Sequence, residues 1–273
     1  MDMKELSSIL QQGGIVGAGG AGFPTYAKLN ENADTLILNC AECEPLLRLH
    51  RQLLEKYAQE IVDTFHMIGE AVGAKELVIG IKKAYTKTIE ALEDVIGAYP
   101  EVRLGLLDEV YPAGDEVVLI YEVTGKVVRP GGLPIEQGVA VFNVETVYNA
   151  YRAIQQKTPV VDKLVSVVAE VDHPVTVRVP IGTSIEETVR LAGASCSSGR
   201  ALYYTKKEAK IINRSETCSG KLLSMYNVYG FVSEKPFGTS DRTTSVYAGS
   251  NMQGCAEAGY LCKHIFLLLL WSL

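Results

Sequence analysis

The sequence predicts an α/β fold: a parallel sheet flanked by helices, then a small α+β module, then an irregular tail. Three observations carry this. Short apolar runs alternate with helix-period segments across residues 35–107. From about residue 163 two β-rich runs are followed by a capped helix, and beyond about residue 196 no sustained period of either kind remains. Strands alternating with helices are the pattern of parallel strands joined by right-handed crossovers.

The elements follow in order. Leu6, Ile9 and Leu10 recur at helical spacing, so a short amphipathic helix opens the chain. It leads into "GGIVGAGGAGFPTYAKL" at residues 13–29, the densest glycine run in the sequence. "TLILN" at 35–39 is a short apolar run of the kind buried on both sheet faces. From Leu54, apolar residues fall at Tyr57, Ile61, Phe65, Ile68 and Val72, which predicts a long helix ended by Gly73. "ELVIGI" at 76–81 is the second strand, "YTKTIEALEDVI" the next helix and "VRLGLL" at 102–107 the third strand. In the module, "KLVSVVAEV" and "VTVRVP" are strands joined by a turn at Asp172-His173-Pro174. The helix "SIEETVRLAG" then carries a capping box, Ser184 with Glu187 three residues on.

Composition bounds the function. The chain has 273 residues, 47% hydrophobic and 21% charged, enough for one large domain or two small ones. A net charge of −6 with no block of Lys or Arg argues against nucleic-acid binding. Residues 1–12 lack the layout of a signal peptide, so a cytoplasmic location is expected. The apolar run "IFLLLLW" at 265–271 falls far short of the roughly 20 residues that span a bilayer. Six cysteines in a chain of this length are thiols or ligands rather than a disulfide framework.

The chemistry-bearing segments sit at the ends of these elements. Gly17-x-Gly19-x-x-Gly22 has dinucleotide-fingerprint spacing, but no firm strand precedes it and no Gly-Lys-Ser/Thr ending follows. What remains is free backbone N–H groups, Pro24 where a helix can begin, and Lys28 a turn later: a ligand-cradling loop or a structural turn. "NCAECEP" at 39–45 follows the first strand directly, which places Asn39, Glu42 and Glu44 at a ligand crevice or as solvated loop acids. Cys40-x-x-Cys43 has metal or redox spacing without a second pair to match it. Asp115 and Glu116 fall in a first helical turn, and Asn143 fits an N-cap. The four histidines form no spaced cluster, and no hydrolase triad or carboxylate pair stands out. No metal ligands and no acid–base or nucleophilic residues are assigned.

Taken together, "GIVGAGGAGFPTYAKL", "LILNCAECEPLL", "YPAGDEVVLIYEVTGKVVRPGGLP" and "VFNVETVYN" resemble, in order and spacing, the RnfC/PduS/PrdC-like electron-transfer flavoproteins. That group is related to the NADH-oxidising flavoprotein of respiratory complex I. The resemblance covers about residues 5–194. It implies a Rossmann-like FMN-binding domain at 1–160, a soluble-ligand-binding β-grasp (SLBB) module at 161–195 and an atypical tail at 196–273.

The resemblance also implies roles. Gly17, Gly19, Gly20, Gly22 and Lys28 would bind FMN phosphate and ribityl, with Asn39, Glu42 and Glu44 beside the flavin. Gly114, Asp115 and Glu116 match an element that helps seat NADH, and Asn143 matches the Asn of an Asn-Val-Glu-Thr segment. Where the complex I relative has Arg, this chain has Ala18. The implied function is electron transfer from NADH through FMN to a redox partner protein or a membrane electron-transfer complex. The chain would then lie in the cytoplasm, peripheral at the inner face of the membrane. The alternative is a non-catalytic binding or assembly subunit that keeps the fold. Full-length relatives carry 4Fe-4S clusters, which need runs such as C-x-x-C-x-x-C. Here Cys196, Cys218, Cys255 and Cys262 are far apart, so a cluster is not expected, and the tail reads as truncated, frame-shifted or divergent.

Overall fold

The computed structural model describes residues 1–18, 22–44, 46–169 and 173–193, and beyond them the backbone of residues 201–205, 208–212 and 223–226. It divides into two compact units, Met1–Val160 and Val161–Leu273.

The first unit holds four strands, β1 (Thr35–Asn39), β2 (Glu76–Lys82), β3 (Val102–Leu107) and β4 (Val139–Asn143). All neighbours run parallel, in the order β3-β2-β1-β4. Helices α1 (Met3–Gln12), α2 (Leu49–Val72), α3 (Thr86–Ile96), α4 (Glu116–Thr124) and α5 (Val144–Gln155) connect and cover them. Successive strand residues face opposite sides, and the contacts follow that alternation. Val78 clusters with Leu119 and Val123 of α4, whereas Leu77 meets Gly69 of α2. Helices therefore cover both faces, as the run of buried residues in β1 requires. On α2, Ile61, Phe65 and Ile68 are fully buried. Each such side chain stabilises the fold by roughly 1.5–3 kcal/mol relative to exposure. α4 lies close to the sheet because β2 offers Gly80 beneath it, where a Cβ would come within 2.6 Å of Leu119.

Two starts differ from expectation. α2 begins at Leu49, five residues before the apolar period at Leu54 becomes visible. β4 is a strand absent from the sequence expectation, because its five residues run directly into α5. Gly73 ends α2 as expected, in the left-handed region at φ 75°.

The second unit contains β5 (Asp162–Ala169) and β6 (Val175–Pro180), paired antiparallel, and α6 (Ile185–Arg190). The Ser184–Glu187 capping box is formed in both directions. Asp172 of the expected turn lies outside the described residues. The stretch expected to be irregular contains three short strands, β7 (Ala201–Thr205), β8 (Glu208–Ile212) and β9 (Leu223–Tyr226). β7 pairs with β8, and β9 pairs antiparallel with β5, extending the module's sheet. Strands of four or five residues are too short to give a sustained period, so pattern alone does not reveal them.

Candidate functional site

The strand order sets the site. Successive connections move outward from β1 to β2 to β3, and the chain then returns to place β4 on the other side of β1. This reversal makes a topological switch point, and open α/β sheets bind ligands beyond the carboxyl ends of the strands that flank it, here β1 and β4. Asn39 ends β1, Asn143 ends β4, and the two are register partners. Both predicted asparagines thus meet at the switch point.

The glycine run forms a hairpin. Val16 and Pro24 bridge antiparallel, Gly17 N–H donates to the Phe23 carbonyl at 2.8 Å, and Thr25 N–H to Ile15 at 3.0 Å. On the α5 side, Ala18 N–H donates to the buried Thr146 hydroxyl at 2.9 Å. Gly22 adopts φ +72°, and a Cβ there would meet nothing within 4 Å. Its backbone therefore faces open space in a conformation that favours glycine. Gly19 and Gly20 lie outside the described residues. After Pro24 the chain makes one 3₁₀ turn, Thr25–Lys28, rather than an α-helix. No α-helix N-terminus therefore stands at Pro24, and the loop carries a cation one turn later. That cation is Lys28, whose Nζ donates to the Val141 carbonyl of β4 at 2.9 Å and stands 3.7 Å from Glu116 Oε1.

The β1–α2 and β3–α4 loops are pinned together. Asn39 Nδ2 donates to the Gly114 carbonyl at 3.0 Å, and its Oδ1 accepts from Ala41 N–H at 3.0 Å. Gly114 N–H donates in turn to Cys43 Sγ at 3.1 Å. A Cβ on Gly114 would lie 1.9 Å from the Ala41 carbonyl oxygen, so this crossing excludes any side chain. Asp115 caps α4, accepting from the N–H groups of Val117 and Val118, and Glu116 stands half-exposed beside Lys28. Asn143 caps α5 by accepting from Glu145 N–H at 2.8 Å, and its Nδ2 lies 2.9 Å from His50 Nε2.

Glu42 takes a different position from its neighbours. Its side chain is fully buried, with Oε1 accepting from His50 N–H at 2.8 Å and Oε2 from Arg51 Nε at 2.9 Å. Arg48, the N-cap residue of α2, makes no capping bond with its side chain. The carboxylate of Glu42 therefore satisfies one of the helix's first N–H groups from outside the helix. Burial pushes its pKa from 4.5 up to about 7, against the lowering effects of the His50 N–H and the Arg51 guanidinium. Arg51 also stacks over Tyr85 at 4.2 Å, and Lys82 Nζ donates to the Glu42 carbonyl at 2.8 Å. Glu44 lies in the same loop, partly exposed, its carbonyl accepting from Leu47 N–H.

Sequence reasoning missed His50, Arg51, Lys82, Tyr85 and Thr146. These act through contacts distant in the chain, and only the buried charge of Lys82 at a strand end carries a local signal. Cys40 is fully buried, which pushes its thiol pKa well up, and Cys43 is an unoxidised thiol whose Sγ accepts from Gly114 N–H. Among the described residues no group of three His, Cys, Asp or Glu is placed to hold a metal, and no helix is long and apolar enough to cross a membrane. A cleft of about 500 Å³ lined in part by Asp63, His66, Met67, Tyr99 and Ile154 shares no residue with this site.

The chain is similar to known proteins in sequence and in fold. Residues 10–152 match the family model described as the Nuo51 FMN-binding domain. The chain is 41% identical over 194 residues to the cobalamin reductase PduS of Citrobacter freundii, covering 71% of this chain and 43% of that protein. To PduS of Salmonella typhimurium it is 42% identical over 196 residues, with the same shares covered. It is 35% identical over 188 residues to a component of the ion-translocating oxidoreductase complex of Edwardsiella ictaluri, covering 67% of this chain and 24% of that component. The chain thus spans less than half the length of these relatives. In fold it is similar to a chain of an air-oxidised NAD⁺-reducing [NiFe]-hydrogenase, with a TM-score of 0.65 and 22% identity over 83% of this chain and 47% of that one. Because the family match covers more than half of the sequence, the chain belongs to the Nuo51 FMN-binding domain family.

Proposed function

We propose that the first unit binds FMN non-covalently at the switch point, takes reducing equivalents from NADH and passes electrons to a redox partner protein or complex. The observation that carries this is the convergence of Lys28, Asn39 and Asn143 beside the glycine hairpin at the ends of β1 and β4. These residues fit the group. A phosphate suits a partly exposed ammonium beside loop N–H groups, and Gly22 leaves backbone open to close approach. Asn39 and Asn143 offer amides to the polar edge of a ring system. The clamp made by Gly114, Asn39 and Cys43 keeps the two loops in fixed register, so that a bound ring meets a preorganised surface.

When bound, FMN supplies acceptance of two electrons and their release one at a time. The chain's own residues bind and orient. Lys28 holds the phosphate end, and Glu116, half-exposed at the start of α4, stands where a second nucleotide would approach. The names of the relatives support this reading: a cobalamin reductase, a component of an ion-translocating oxidoreductase complex and an NAD⁺-reducing enzyme. The electron acceptor in this reading is a redox partner protein or complex. That partner is in the cytoplasm or in a complex to which this chain attaches peripherally at the membrane.

The test is direct. Protein reconstituted with FMN should quench flavin fluorescence at micromolar concentration, and anaerobic NADH should then bleach the flavin absorbance. Folded protein that quenches nothing overturns the flavin reading. Flavin-loaded protein that NADH does not bleach leaves the binding or assembly role as the better account.

A further inference from the structure

The hydrogen bonds around Asn143 have a direction, and it fixes the state of His50. Asn143 caps α5, and the Glu145 N–H points at one atom of its side-chain amide at 2.8 Å. An N–H cannot donate to an amide nitrogen, so that atom is Oδ1 and the amide cannot be flipped. Its Nδ2 is therefore the atom that meets His50 Nε2 at 2.9 Å. An amide NH₂ only donates, so Nε2 must present a lone pair. His50 is then the neutral imidazole with its proton on Nδ1. A protonated His50 would set two donors against each other across this contact.

The backbone of His50 is held as well. Its N–H is bound by the buried Glu42 carboxylate, in the first turn of a helix whose own N-cap side chain makes no capping bond. The ring thus comes to Asn143 on a backbone fastened to the β1–α2 loop. The loop that follows Asn39 and the residue that ends β4 are in this way joined through His50.

We propose that His50 is a positioning residue of the switch-point site: as the neutral Nδ1–H tautomer it accepts from Asn143 and aims that amide at the bound ring system. The role deepens the flavin reading and rests on it for its ligand. His50 itself is buried. One Nδ2 hydrogen of Asn143 goes to His50, leaving the second for the ligand. The charged groups bonded around His50 are Glu42, which accepts from its backbone N–H, and Arg51, the next residue of α2, which pairs with Glu42. Protonation of the imidazole puts a second donor across this contact and removes the acceptor that Asn143 requires.

Two measurements on the full chain test this. Long-range ¹H–¹⁵N correlation of the imidazoles, with His50 assigned by loss of its signals in His50→Gln, should show a protonated Nδ1 and a bare Nε2 at pH 8. FMN titration by fluorescence quenching should separate two variants. His50→Leu loses the acceptor and should weaken binding by about 3- to 10-fold, the scale of one neutral hydrogen bond. His50→Gln keeps a carbonyl acceptor and should stay within about 2-fold of the wild type, since its own bond to Asn143 is retained. A proton on Nε2, or a charged ring at pH 8, overturns the proposal. So does wild-type affinity in a folded His50→Leu, or equal loss in both variants. If the wild-type chain binds no FMN, the flavin reading falls and the tautomer alone decides whether His50 holds Asn143.

Discussion

Gly114 lies against the carbonyl of Ala41 so closely that the space for a Cβ is already taken, at 1.9 Å from the oxygen. The atom in the way is backbone, so no rotamer change relieves it. Gly114→Ala should destabilise the chain by about 1–3 kcal/mol through forced backbone shift. It should also separate the Asn39 and Cys43 bonds that close the loop crossing. Urea unfolding and FMN titration together check this. A variant with unchanged midpoint and unchanged affinity means that the two loops slide apart without cost.

Lys28 is tested through ligand choice. Its Nζ spans the Val141 carbonyl and the Glu116 carboxylate. Lys28→Met keeps the aliphatic stem and removes the charge. If the ammonium meets phosphate, FMN affinity should fall by about 1.5–3 kcal/mol, the scale of a charge-assisted hydrogen bond. Riboflavin, which lacks the phosphate, should bind the two proteins alike. An equal loss for both flavins would place Lys28 at the ring instead.

Glu42 gives a pH dependence with a definite sign. Burial raises its folded pKa from 4.5 to about 7, so between these values the folded chain holds more protons than the unfolded one. Stability from this group is then greatest at low pH and declines as pH rises through that window. Wild type measured relative to Glu42→Gln should lose about 1–3 kcal/mol between pH 5 and pH 8. Chemical denaturation of both proteins at several pH values supplies the difference and cancels the other carboxylates. A difference that grows with pH would mean that Arg51 and the His50 N–H outweigh burial and hold the carboxylate charged.

What can be read from the sequence follows from the range of the interactions. β1 and β3 are legible to the residue because each is a short, mainly apolar run, β1 buried and β3 partly exposed. The caps of α5 and α6 are legible because a cap is a local bond, from Asn143 or Ser184 to a residue two or three further on, whereas Asp115, expected in the first turn of α4, is its N-cap and only Glu116 lies in that turn. The start of α2 is not, since its capping acceptor is Glu42, which precedes the helix across a loop. For the same reason the sequence leaves Glu42 either a crevice acid or a solvated loop acid, and only the fold reveals that it is buried against Arg51. β4 is hidden by economy: Asn143 ends the strand and caps the next helix, so no turn residues separate them. The site is legible in its glycines, lysine and asparagines. The tertiary bonds that hold them, from His50, Thr146 and Cys43, leave no local trace.

The last expectation concerns which part of the chain carries the site. Every bond described at the switch point lies within Met1–Val160, the first compact unit. That unit has helices on both faces of its sheet and a core running from Leu6 to Ile154. Val160 N–H returns to the Gly13 carbonyl at 2.9 Å, closing the unit beside the helix that precedes the glycine hairpin. A chain of residues 1–160 therefore buries its own apolar faces and meets the requirement for independent folding. It should be monodisperse, unfold cooperatively and bind FMN within about 2-fold of the full chain, since no ligand contact is removed. A chain ending at residue 194 should differ in another way. It lacks β9, which pairs with β5, and so leaves one edge of β5 without its strand. That version should keep flavin affinity yet associate more readily at high concentration. Sedimentation velocity on the two truncations, with FMN titration alongside, distinguishes the cases. Loss of flavin affinity in residues 1–160 would mean that the second unit completes the site.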